Sequence, residues 1–164
     1  MATDTTLAKA SSFTRPDDFT QLSNDQLDEV FGAIPAGEIP VGEGEGAAII
    51  APGTEVSKPM AHFIHIFGWK GKVFERDAAR PEQGWLKNRL LLTGLHAVIA
   101  EVYKGKSWLD GKDCIVLDYS HTSLVAQWIR DEIREVRPGL FLGVVYWGKE
   151  QDSAKTLIHF ALKF

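Results

Sequence analysis

From Gly71 onward, short apolar runs recur between turn signals. They read GKVFER (71–76), WLKNRLLL (85–92), HAVIAEVY (96–103), KDCIVLDY (112–119), LFLGVVYW (140–147) and TLIHFALKF (156–164). Arg80-Pro81, Asp110-Gly111 and the polar stretch GKEQDSAK separate them. Runs of this length, rich in β-branched and aromatic residues and joined by short connections, predict antiparallel strands. The long crossovers that parallel strands need are missing between most of them. Upstream, AAIIA (47–51) predicts one further short strand, closed by Pro52-Gly53.

A different period predicts the helices. Leu27, Val30 and Phe31 recur at helical spacing behind Ser23, a good N-cap, and Gly32 stops the run, so a helix is expected over 24–32. In TSLVAQWIRDEIREV (122–136), Leu124, Val125, Trp128, Ile129, Ile133 and Val136 make an apolar stripe at helical spacing. Ser120 or Thr122 would cap it and Pro138-Gly139 would end it, so this segment is expected to be the main packed amphipathic helix. Lys58–Phe67 leans to helix, with Met60, Phe63, Ile64 and Phe67 on one face. PAGEIPVGEGEG (35–46), dense in glycine and proline, reads as an extended loop. Residues 1–20 have few side chains to bury and are expected to fray. The fold class is therefore α+β and predominantly antiparallel β. It is a curved meander or small barrel over about 68–164, in a single domain of 21–164, with one packed helix and N-terminal helical segments.

The 164 residues carry a formal charge of −4, which argues against a nucleic-acid partner, and no apolar run is long enough to span a membrane. The first residues lack the apolar core of a signal peptide, and a lone cysteine, Cys114, cannot form an internal disulfide. The expected location is the cytoplasm. A homodimer is compatible with the sequence.

The densest polar group is Asp118, Tyr119, Ser120 and His121, at the end of one predicted strand. A carboxylate, a phenol and an imidazole at a barrel mouth could supply acid–base catalysis. Neighbours on a strand point to opposite faces, however, so Asp118 and Tyr119 should not share a cavity. The competing structural reading is capping by Asp118 and Ser120 of the helix that follows. His159 lies on the Leu157–Ala161–Lys163 face of the last strand, opposite the apolar face of Ile158, Phe160, Leu162 and Phe164. That face is either solvated or lines a polar cavity, which makes His159 the fourth catalytic candidate. His62 and His65 could share a helix face at metal-ligand spacing, but no third ligand follows by spacing and no metal site is assigned. Cys114 reads as a small buried hydrophobe. No cofactor motif occurs; the glycine-rich loop lacks the Gly-Lys-Ser/Thr of a phosphate cradle.

Gly68-Trp69, with Gly71 just after, resembles the Gly-x-Trp strand entry of lipocalins and other calycin barrels, except that glycine and tryptophan are adjacent here. The helix expected before the last two strands is similar to that family's late helix, after which one strand normally follows. The resemblance implies a cup for a small hydrophobic or amphipathic molecule, as in intracellular calycins. Trp69, Trp85, Tyr103 and Trp147 are the aromatic candidates to line it, and Arg130 the candidate to hold an anionic group. Two functions follow: a ligand-binding barrel, or a cofactor-independent isomerase, cyclase or lyase using Asp118, Tyr119, His121 and His159 in the same cavity. An interaction module with a filled core is a third.

Overall fold

A computed structural model describes residues 4–51, 53–58, 60, 61, 64, 71–88, 98–124 and 126–164. Its centre is an antiparallel barrel of eight strands: β1 (Gly42–Ile49), β2 (Lys72–Arg76), β3 (Gln83–Asn88), β4 (Ile99–Lys106), β5 (Asp113–Asp118), β6 (Ile129–Arg137), β7 (Leu140–Trp147) and β8 (Lys155–Lys163). Each pairs with its neighbours in sequence, and β8 returns to β1 through Glu45↔Lys163 to Ile49↔His159, so the sheet closes and has no free edge. Two helices precede it, α1 (Asp4–Ser11) and α2 (Asn24–Ala33), with a 3₁₀ turn, Pro16–Gln21, between them.

Closure depends on a stretch that composition excluded from the sheet. Gly42, Gly44 and Gly46 of the expected loop lie within β1, opposite Phe74, Lys72 and Leu162. Their period of two places all three toward the lumen, with Glu43 and Glu45 outward. Glycine is required at Gly44 because the lumen is filled at that level. A Cβ on Gly44 would lie 2.6 Å from the Phe164 ring. That ring packs edge-on against Phe74 and Phe141, with centroids 5.4 and 5.7 Å away. The barrel therefore begins at Gly42, not near residue 68.

The packed helix expected over 122–136 is absent. Turns occupy its first half and β6 its second. Ile129, Asp131 and Ile133 point into the barrel and Arg130, Glu132 and Arg134 out of it. The spacing of Ile129, Ile133 and Val136 fits both periods, and the charges suggested a wet helix face. Those charges are buried instead: Asp131, Glu132 and Arg134 are each 0% exposed.

Glu132 is held by the Ser107 hydroxyl, the Trp108 backbone N–H and Arg130, and Arg134 lies beneath the N-terminal segment. Residues expected to fray form α1 and the 3₁₀ turn, and Ala10, Phe13 and Phe19 are buried. With Leu22, Leu27, Val30 and Phe31 they cover the outer face of the barrel wall, on Cys114, Val116, Leu140, Leu142, Val144 and Ala161. This second core makes nearly every position of β7 buried, where a wall facing water would alternate. The helix read over 24–32 is α2, and Ser23 forms the capping box with Gln26. Arg134 fastens α2 to the barrel: it donates two bonds to Asp110 (2.8 and 2.7 Å), one to the Phe31 carbonyl (2.8 Å) and one to the Asp113 carbonyl (2.9 Å).

Cys114 is one of the residues under this cover, and burial pushes its thiol up to about 12. The thiolate is the reactive form. At pH 8 the native protein should therefore leave Ellman's reagent nearly uncoloured for many minutes and react with one equivalent promptly in denaturant.

Of the expected helix at 58–67, Lys58, Met60, Ala61 and Ile64 are helical; His62 and His65 lie outside the described residues. Among the described residues, no helix is long and apolar enough to cross a membrane.

Candidate functional site in the barrel lumen

One end of the lumen is closed by packing. Phe74, Leu86, Ile133, Phe141, Phe160, Leu162 and Phe164 fill the end carrying the short turns 77–82, 107–112 and 138–139. The other end carries the long connections 50–71, 89–98 and 119–128. Between the plug and that second end lies a group of charged and hydroxyl side chains.

Lys72, the first residue of β2, points inward beside Phe74. Its strand faces β6 across the barrel, four strands away in either direction. The side chain crosses the lumen, and Nζ donates to Asp131 Oδ2 at 2.9 Å and to the Tyr119 hydroxyl at 2.7 Å. Tyr119 in turn donates to the same Asp131 oxygen at 3.1 Å. Nζ also lies 5.3 Å from the centroid of Phe160, within cation–π reach. Lysine and aspartate side chains are 1% and 0% exposed.

Two glycines set this geometry. Gly71, at φ 126°, turns the chain into β2, where a Cβ would sit 1.9 Å from the Gly44 carbonyl oxygen. No L side chain fits there. Gly143 leaves space for Phe160 beneath the lysine, since its Cβ would lie 2.3 Å from that ring.

Burial drives both charged groups toward neutrality. Desolvation lowers the Lys72 pKa and raises that of Asp131, and their mutual contact works against both shifts. Asp131 Oδ1 is buried and accepts no hydrogen bond. The row across the wall at its level is apolar: Leu117, Asp131, Val145 and Ile158 are successive cross-strand partners.

Of the catalytic candidates from sequence, only Tyr119 belongs to this group. Asp118 points outward, as strand alternation required. It accepts from Tyr103 Oη (3.1 Å) and from the Ser120 backbone N–H (2.9 Å), so it braces a turn, not a helix. Burial would raise its pKa, but the hydrogen bonds from Ser120 and Tyr103 outweigh it and hold the carboxyl low. His121 is exposed, 3.7 Å from Glu101. Asp118, His121, Arg130 and Trp108 line an outer cleft of about 350 Å³. Arg130 lies over the Trp108 ring and bonds Glu132 at 2.9 Å. His159 is neither solvated nor in the lumen: it sits beneath α2, 2.8 Å from Asp28. Trp85 and Tyr103 border a second outer cleft of about 220 Å³. Trp147 ends β7 and packs against Trp128, with ring centroids 6.3 Å apart, and Trp69 lies outside the described residues.

The sequence reading missed Lys72 and Asp131. The signal was there: in GKVFER, Lys72 shares the Phe74 face, and in IRDEI, read as a strand, Asp131 shares the face of Ile129 and Ile133.

A crystal structure of a protein from Thermomonospora curvata shares this fold. The two chains are 14% identical, each is covered over 87% of its length, and the TM-score is 0.50. That likeness concerns the fold alone. No family model and no curated protein matches the chain. Eight up-and-down strands are also the number in lipocalin barrels. The late helix on which that resemblance partly rested is β6, and Gly68-Trp69 is outside the described residues.

Proposed function

We propose that the barrel binds a small amphipathic molecule at its long-loop end, with the polar part of the ligand against Lys72, Tyr119 and Asp131. A single observation carries this reading: a lysine and an aspartate wholly buried in the lumen. Buried ion pairs contribute little to stability compared with apolar residues of the same volume. A lumen that served only to hold the fold together would be filled as its other end is, with Phe, Leu and Ile. A mostly apolar recess with a few convergent polar groups is the usual form of a small-molecule site.

The same group supports acid–base catalysis as a second reading. Opposite pKa shifts on adjacent groups mark sites where a proton is poised to move. Tyr119 and Asp131 would then be the acid–base pair, with Lys72 holding a developing negative charge. Asp118, His121 and His159 would remain outside the reaction.

Native mass spectrometry of freshly purified protein tests the binding reading. The expected spectrum shows the wild-type chain with an organic adduct and the Lys72→Met/Asp131→Leu protein without it, at unchanged circular dichroism. An adduct on both proteins, or on neither after incubation with cell extract, defeats it.

A further inference from the structure

Resting on that binding reading, we infer that the ligand is uncharged and presents a hydroxyl or N–H hydrogen to Asp131 Oδ1. Asp131 has two oxygens. Oδ2 is taken twice, by Lys72 at 2.9 Å and Tyr119 at 3.1 Å, whereas Oδ1 is buried with no donor. A buried acceptor left empty is unfavourable, and in native interiors such atoms nearly always have a partner. The missing partner is a donor, because a carboxylate oxygen can only accept.

Charge balance sets the second half of the inference. Among the described residues at this level of the lumen the charged side chains are Lys72 and Asp131, and as ammonium and carboxylate they sum to zero, so a neutral head group adds no charge to them. A carboxylate or an ammonium would bring an uncompensated charge into a site walled by Leu117, Val145 and Ile158. The aromatic plug forbids approach from the short-turn end, so the apolar body of the ligand extends away from it, toward Tyr119 and Ile129. The class is thus an alcohol, a phenol or an N–H-bearing neutral molecule with an apolar body, not a fatty acid and not an ether or ester.

Matched probes on two frames test this by titration calorimetry: 1-octanol, 1-methoxyoctane, octanoate and octylammonium, then 4-propylphenol and 4-propylanisole. The wild-type protein should bind the hydroxyl compound of at least one frame about ten- to a hundredfold more tightly than its methyl ether, the scale of one hydrogen bond to a charged group. Octanoate and octylammonium should bind more weakly than octanol. In Lys72→Met/Asp131→Leu the hydroxyl and ether should bind alike. Equal affinity for ether and hydroxyl in the wild type, or tighter binding of octanoate, overturns the inference and leaves the binding reading intact. So does a crystal soaked in the hydroxyl probe that shows only water at Oδ1. If no probe binds, the native adduct decides. An adduct bearing O–H or N–H upholds the donor requirement, one without overturns it, and no adduct at all overturns both readings.

Discussion

Asp131→Leu alone should destabilise the protein by about 3–5 kcal/mol in urea or guanidinium unfolding, the usual consequence of stranding one member of a buried ion pair. Adding Lys72→Met to the same chain should return most of that loss. The reason is the position of the pair. Lys72 cannot turn to solvent, since it arises from the lumen face of β2 and crosses to the opposite wall at 1% exposure. Deprived of Asp131, its ammonium loses the carboxylate that offsets its burial, and its pKa falls further. Burial already lowers the Lys72 pKa with the aspartate present, and Asp131 is the charge that opposes that shift. The pH dependence of the single variant follows. Its folded lysine titrates below the value near 10.4 of the unfolded chain. Between those two values the unfolded state binds a proton that the native state does not, so stability rises with pH across that window. The limiting slope is about 1.4 kcal/mol per pH unit. The double variant has no lysine to titrate there and should show no such rise. A single variant as stable as wild type at pH 7 would mean that Asp131 does not hold the lysine charge, and the lumen would lose its polar anchor.

The strands of the C-terminal half could be read because their two faces meet different materials. Ile158, Phe160, Leu162 and Phe164 face the lumen core, as period two required, and the same rule separated Asp118 from Tyr119. What misled was burial on both faces. β6 carries Asp131 inward and Glu132 and Arg134 outward, all three buried, so its charges gave no sign of where water was. The outer cover comes from the first 33 residues, more than 90 positions away in sequence from β6, and no local pattern reveals such a contact. The GEGEG stretch misled for a related reason. Glycine weakens a strand in isolation, yet here it is the residue that leaves space for Phe164. The site itself was half legible. Tyr119 could be found at a strand end, while Lys72 and Asp131 meet only because the barrel closes and sets β2 opposite β6.

Arg134→Ala is the second substitution expected to act strongly, and it acts on the other side of the wall. Arg134 is 0% exposed and its guanidinium lies 4.6 Å from the Phe31 ring centroid, so truncation removes a large buried side chain along with four hydrogen bonds. It leaves the Phe31 and Asp113 carbonyls and the Asp110 carboxylate without that donor. The expected loss is about 3–5 kcal/mol, the scale of breaking a buried charged network. The loss should fall unevenly. The lumen core of Phe74, Phe141, Phe160 and Phe164 does not touch Arg134, whereas α2 is bound to the barrel through the Phe31 carbonyl. Hydrogen exchange should therefore accelerate first in α2 and the turn around Asp110, with β7 and β8 following only at global unfolding. Acid should reveal the same link. Hydrogen bonds from Arg134, ahead of those from Lys112, hold the Asp110 pKa below its ordinary value, so this contribution is present at neutral pH. It is lost as pH falls through the folded pKa. The wild-type protein should accordingly lose stability below about pH 4 faster than Asp110→Asn does. If Arg134→Ala instead loosens all eight strands at once, the N-terminal helices and the barrel form one cooperative unit, and Arg134 is part of a common core instead of a fastening between two layers.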